Sequence, residues 1–167
     1  STYNLDKDGL RIYTTINYKM QQYAEEAVAE HLGKDLQRQF NRELRWKNNR
    51  PFANDVPKNV IESIMKQARR WSDRYRSMKK DNATDEQILK SFETPVRMRV
   101  FAWNDKGYVD TVMTPNDSIR YYKSFLRAGF MAMEPGSGYV KAYVGSGNYR
   151  YFKYDQVKQG KRQVGST

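Results

Sequence analysis

The 167-residue sequence has no cysteine, a single histidine at His31, and no apolar run longer than four residues, such as Phe130-Met131-Ala132-Met133. Without cysteine, disulfide frameworks, thiolate zinc sites, iron–sulfur clusters and cysteine nucleophiles are excluded. One histidine at the edge of an apolar helical stripe does not make a metal-ligand set, and no metal is expected. A run of four is far short of the roughly 18–20 residues a membrane-spanning helix requires. Ser1–Asp6 has neither a basic n-region nor an apolar h-region, so it does not read as a signal peptide. Neither G-x-G-x-x-G nor G-x-x-x-x-G-K-[ST] occurs; Gly145-Ser146-Gly147 reads as a loop after a strand, and no cofactor is expected.

Hydrophobic residues make up 38% of the chain and mean hydropathy is −0.96, lean for one large core. What is plentiful is positive charge, with 30 Lys+Arg against 19 Asp+Glu and a net charge of +11. The excess is local. Residues 41–80 carry +8 and residues 128–167 carry +4, while 1–40 and 81–127 are nearly balanced. Such a block either solvates a helix face or attracts an anionic partner.

Arg11–Ile16, rich in β-branched residues, predicts a short strand. Asn17 is placed to cap a helix with apolar positions Met20, Tyr23/Ala24, Ala27/Val28 and His31/Leu32, and Gly33 to stop or kink it. Gln37–Arg50 is polar, with Phe40, Leu44 and Trp46 as anchors. Pro57 opens a helix over about 58–80 whose stripe is Val60/Ile61, Ile64, Ala68, Trp71, Tyr75 and Met78. Lys66, Arg69, Arg70, Arg74, Arg76, Lys79 and Lys80 fall mainly off that stripe. Thr84-Asp85-Glu86-Gln87 is a capping box for a helix carrying Ile88, Leu89 and Phe92 inward. Val96–Trp103 alternates, turns at Asn104–Gly107 and returns as Tyr108–Met113, a β-hairpin. Thr114-Pro115-Asn116-Asp117 starts a helix running to about Arg127. Phe130–Met133 and Tyr139–Gly145 form a second hairpin, apolar on both faces and expecting cover on each. The order predicts an α+β fold of helices with antiparallel β-hairpins.

The C-terminal Phe152–Thr167, with Arg162-Gln163-Val164-Gly165-Ser166 at its end, resembles the class A penicillin-binding proteins, the bifunctional cell-wall synthases. Their transpeptidase domains open with a hairpin like Ala128–Gly145, pass a stretch like Tyr154–Gln159 and reach Arg-Gln-x-Gly-Ser at the nucleophile. Gly9–Asn17 is similar to the family's linker strand and helix start. Asp155 and Glu134 depart from the residues common there, Asn and Asp. The resemblance implies a penicillin-binding, β-lactamase-like serine transpeptidase domain, incomplete here, with a small accessory insertion. It divides the chain into a linker strand and helix (1–40), a basic accessory insertion (41–113) and the beginning of the transpeptidase domain (114–167). It makes Ser166 the acylated serine of an S-x-x-K motif, whose lysine would fall two positions beyond Thr167, so this polypeptide alone is expected to be inactive.

The chemistry fits the residue types. A serine hydroxyl is a weak nucleophile that needs an adjacent base, and a lysine three residues on shares its helical face. Ser146-Gly147-Asn148 and Lys158-Gln159-Gly160 match S-x-N and K-x-G in spacing but precede the serine, whereas the family places those motifs after it. By resemblance the parent is a periplasm-facing peptidoglycan synthase anchored in the bacterial inner membrane, with a glycosyltransferase domain outside this chain. Its partners would be the peptidoglycan stem peptide, β-lactams and cell-envelope proteins, not nucleic acid, and the uncovered hairpin would let the fragment self-associate. The alternative is a non-catalytic basic module holding an anionic polymer, nucleic acid or cell-wall polymer, or a partner protein through Arg42–Lys80.

Overall fold

A computed structural model describes residue 4 and residues 7–161. The chain forms two compact units, one of residues 1–28 and 128–167, the other of residues 29–127.

In the first unit, helix α1 (Tyr18–Ala27) begins where sequence grammar places it, with Asn17 Oδ1 accepting from Met20 N at 3.1 Å. Strands β3 (Phe130–Met133) and β4 (Val140–Val144) pair antiparallel, with Phe130 opposite Val144 and a bulge after Ala132. Ala24 on α1 packs with Ala142 and Val144 on β4, joined by Val28 and Ala132. The close-packed residues are small because the helix lies directly on the strand. Gln21 completes the seam: its amide Nε2 donates to Tyr143 O at 3.0 Å and its Oε1 accepts from Tyr143 N at 2.8 Å. A side-chain amide thereby occupies the free edge of β4 as a neighbouring strand would.

One expectation changes here and another holds. Arg11–Ile16 forms no strand; Thr15 Oγ1 donates to Val140 O, and the following residue, Asn17, donates its N–H to Lys141 O. Its apolar side chains stay in solvent, with Ile12 73% and Tyr13 88% exposed, so the packing that would reward a strand there is missing. The β3–β4 hairpin has cover on one face only, as expected for a hairpin that needs more cover than this chain supplies, and Phe130, Met131, Met133 and Tyr139 are exposed.

The second unit starts within a π-helical run, Val28–Leu36, followed by α2 (Gln37–Leu44). Gly33 therefore neither stops nor kinks the chain into a turn; it sits buried inside the wider helix. The reason is packing: a Cβ there would lie 2.5 Å from Trp103 Cδ2, so only glycine lets the indole rest on this backbone. Helices α3 (Lys58–Trp71), α4 (Asp73–Lys80) and α5 (Asp85–Glu93) follow, then the hairpin of β1 (Val96–Phe101) and β2 (Tyr108–Met113), then α6 (Pro115–Lys123). Pairing is antiparallel from Val96–Met113 to Phe101–Tyr108.

The single helix expected over 58–80 is two helices. Ser72 is extended (ψ 149°), its Oγ accepting from Tyr75 N at 3.2 Å and donating to Arg69 O at 2.6 Å, so one hydroxyl closes α3 and opens α4. Ile61 and Met65 reach the core, while Trp71, expected inside, is 71% exposed. The Thr84 capping box and the Thr114 cap with Pro115 in the first turn are present as the sequence predicts. Ile88 and Phe92 are each 1% exposed, whereas Leu89 faces solvent. On β1 the charged-face parity ends at Phe101, which is buried against the rings of Trp103 and Phe125. Helix α6 clamps the end of this strand. Tyr121 Oη donates to Phe101 O at 2.6 Å, and Phe101 N donates to Tyr122 Oη at 3.1 Å. Burial pushes the Tyr121 hydroxyl above its ordinary pKa, keeping it the neutral donor that the contact needs.

Candidate functional site

Ser166 lies outside the described residues, as do Arg162–Gly165. The described segment that leads to it is organised around Asp155, in the first unit. Its Oδ1 accepts from Val157 N and Lys158 N, both at 2.9 Å, and its Oδ2 accepts from Tyr143 Oη at 2.6 Å. The Tyr143 hydrogen bond, with the two backbone donors and Lys158, holds the Asp155 carboxyl below its ordinary range. The same bond raises Tyr143. Around this carboxylate, Gln156 N donates to Gly145 O at 2.7 Å, Gln159 N to Asp155 O at 2.9 Å, and Tyr154 Oη to Gln159 O at 2.6 Å. Gly145 and Gly129 make the fit possible. A Cβ on Gly145 would stand 3.0 Å from Asp155 Cγ, and one on Gly129 would stand 2.8 Å from Gln156 Cβ. The stretch 155–159 is thus tied to the end of β4 by side-chain and backbone bonds. Ser146–Asn148 and Lys158–Gly160 belong to the loop and to this turn.

The hairpin loop ahead of β4 is held similarly. Glu134 accepts from Ser137 Oγ and lies 3.6 Å from Lys141 Nζ, and the serine hydrogen bond foremost depresses its carboxyl.

The basic block divides in the second unit. Arg69 reaches Asn116 on α6 at 3.3 Å, Arg76 pairs with Asp73 at 2.6 Å, and Lys79 pairs with Asp85 at 2.6 Å. Three of the eight α3–α4 cations are therefore engaged within the fold, two of them in ion pairs. His31 is exposed, and no metal-holding group of side chains occurs among the described residues.

The structure also brings together cations that the sequence reading leaves apart. A cleft of about 720 Å³ is lined by Lys34, Arg38 and Arg45 from the π-helical run, α2 and the residue after it, by Arg50, and by Arg120 from α6. Trp103, Met113 and Phe125 supply apolar wall. Gln37, 3% exposed, fixes the cleft: Nε2 donates to Ser124 O at 3.0 Å and to Asn41 Oδ1 at 2.9 Å, and Oε1 accepts from Leu126 N at 2.8 Å. Arg120 Nη1 donates to Arg50 O at 3.2 Å and its guanidinium lies 5.6 Å from the Phe52 ring centroid. Among the described residues, Trp103 Nε1 is a buried side-chain donor with no hydrogen-bond partner. A signal for this cleft existed in the sequence. Lys34, Arg38 and Arg45 are spaced by four and seven, one helical face, but two of the three precede the block counted as basic.

Comparison with known proteins bears on both places. The family model of the penicillin-binding protein middle domain matches residues 47–126, inside the second unit. Penicillin-binding protein 1A of Escherichia coli (strain K12) is 25% identical over 196 aligned residues, covering 96% of this chain and 22% of that protein. The chain thus spans about a fifth of the length of this curated relative. No solved structure matches. No helix among the described residues is long and apolar enough to cross a membrane.

Proposed function

We propose that this chain, a region of class A penicillin-binding-protein type, leads into the serine transpeptidase centre of a bifunctional peptidoglycan synthase, with Ser166 as the acylated residue. The observation that carries the reading is the Asp155 turn, which ties residues 155–159 to the end of β4. It gives the Arg-Gln-x-Gly-Ser segment a rigid point of departure, and a nucleophile needs its approach fixed to within a fraction of an ångström. In this reading residues 1–40 are the linker, 41–113 the accessory insertion and 114–167 the opening of the transpeptidase domain. The anchor and glycosyltransferase precede the chain, the remaining motifs follow it, and the protein faces the periplasm from the inner membrane.

The chemistry is acyl transfer. Ser166 Oγ attacks the carbonyl of the penultimate D-alanine of a stem peptide while a lysine three residues on takes its proton. The C–N bond breaks, that proton goes to the departing D-alanine amine, and an ester remains on Ser166. An amine of a neighbouring strand attacks the ester, forms the cross-link and returns the proton to the serine. A β-lactam presents an amide to the same hydroxyl; its ring C–N bond opens, and the leaving nitrogen stays tethered to the ester. Labelling the full-length protein in membranes with a fluorescent penicillin tests this. The band is expected to vanish in Ser166→Ala and in the presence of excess unlabelled penicillin. Undiminished labelling of Ser166→Ala would overturn the assignment.

A second reading, the basic binding module, is favoured by the cleft of the second unit and by its unpaired cations.

A further inference from the structure

We infer that the cleft beside α2 and α6 binds a compact oligoanion, a ligand presenting two or more carboxylate or phosphate groups on an organic body the size of a short peptide. The inference rests on the binding-module reading and is independent of acylation at Ser166.

The first argument is charge. Lys34, Arg38, Arg45, Arg50 and Arg120 line one concavity and Asp117 is the acid among its lining residues. None of the five cations makes an ion pair among the described residues. Asp117 is already engaged, accepting from Thr114 Oγ1 at 2.7 Å. Gathering like charges without counter-ions costs self-repulsion, and nothing in the packing of the second unit requires it. Lys34, Arg38, Arg45 and Arg50 are exposed and their heads form none of the hydrogen bonds that hold the fold. The contrast lies in the same unit, where Arg76 and Lys79 are matched by Asp73 and Asp85.

The second argument is donor type. Four of the five cations are arginine, whose planar fork grips carboxylate and phosphate through two parallel N–H bonds. One of them, Arg120, is oriented by Arg50 O and by the Phe52 ring before any ligand arrives. The third is shape. A volume of about 720 Å³ falls within the range of small-ligand clefts. Its floor is held by the buried Gln37 network and by the indole seated on Gly33. Trp103, Met113 and Phe125 offer apolar contact to a carbon skeleton.

The test is calorimetric titration of the whole chain with penta-L-glutamate and, separately, with tripolyphosphate, at low and moderate salt. Binding of either probe that weakens about tenfold for each of Arg38→Gln and Arg45→Gln supports the cleft. A response to one probe only assigns the anion as carboxylate or as phosphate. Arg45→Lys, which keeps the charge and removes the fork, is expected to weaken binding several-fold, and it reports on the cleft even if a glutamine variant fails to fold. Lys66→Gln and Arg70→Gln, on α3, each make the same single-charge change outside the cleft and are each expected to leave affinity within about twofold. Equal weakening by the cleft and α3 variants would overturn the site while leaving the binding module standing. Absence of binding by both probes at low salt would overturn both.

Discussion

Gly33→Ala sets two effects against each other at one position. Alanine is the better helix former by about 1 kcal/mol, so an isolated helix would gain. In the folded second unit the new Cβ would stand 2.5 Å from Trp103 Cδ2, 2.6 Å from Cε3 and 3.0 Å from Cγ. Carbon atoms pack at about 3.5–4.0 Å, so the indole or the helix must retreat by about 1 Å. The indole is not free to do so, since its ring sits edge-on to Phe101 at 5.0 Å between centroids, and Phe101 is itself clamped by both tyrosines of α6. Overpacking of this kind costs about 1–3 kcal/mol. The expected net is a destabilisation of about 1 kcal/mol, a fall of about 3–6 °C in the thermal midpoint. It should be accompanied by a changed near-ultraviolet circular dichroism signal from the tryptophans. The decisive assay is a double-mutant cycle in denaturant with Trp103→Leu, which removes the obstructing ring. In that background Gly33→Ala is expected to become neutral or stabilising. Stabilisation by Gly33→Ala in the presence of Trp103, or identical effects in both backgrounds, would refute the argument that the indole dictates glycine there.

Other expectations follow from the same packing. Phe92→Ala removes a ring that is 1% exposed and is expected to cost about 3–5 kcal/mol in urea unfolding, whereas Leu89→Ala on the solvent side should cost well under 1 kcal/mol; similar losses would place the α5 core face wrongly. Gln37→Leu keeps the volume but strands Ser124 O and Leu126 N, with an expected loss of about 2–4 kcal/mol, and an unchanged midpoint would contradict the network. Asp155 is lowered in the folded chain, so its contribution is complete above the ordinary aspartate pKa and is lost as pH falls through the folded value. The amide chemical shifts of Val157 and Lys158 should therefore titrate together below the ordinary aspartate range, and a midpoint at or above that range would refute the arrangement.

Local grammar was the most legible part of the sequence. Asn17, Thr84 and Thr114 announce helix starts because their hydroxyl or amide oxygens satisfy backbone donors three residues away. Both hairpins were legible from alternation and turn residues. What failed depended on distant partners. Arg11–Ile16 has strand composition but no packed neighbour, and Trp71 sits on a stripe whose helix is broken one residue later by Ser72. Gly33 looked like punctuation because the indole that demands it lies seventy residues along the chain. The cleft escaped for a similar reason, since Arg120 joins Lys34, Arg38 and Arg45 only through tertiary packing. Asp155 carries no signal in the sequence for its role as acceptor for two backbone amides and a tyrosine, because those partners meet it only in the folded turn.

The most direct test of the central claim is intact-mass spectrometry of the full-length protein before and after penicillin, with peptide mapping of the adduct. The account predicts a gain of one penicillin, located on the peptide carrying Ser166 and absent from Ser166→Ala. No gain on the folded protein, or an adduct mapped to another residue, would contradict it.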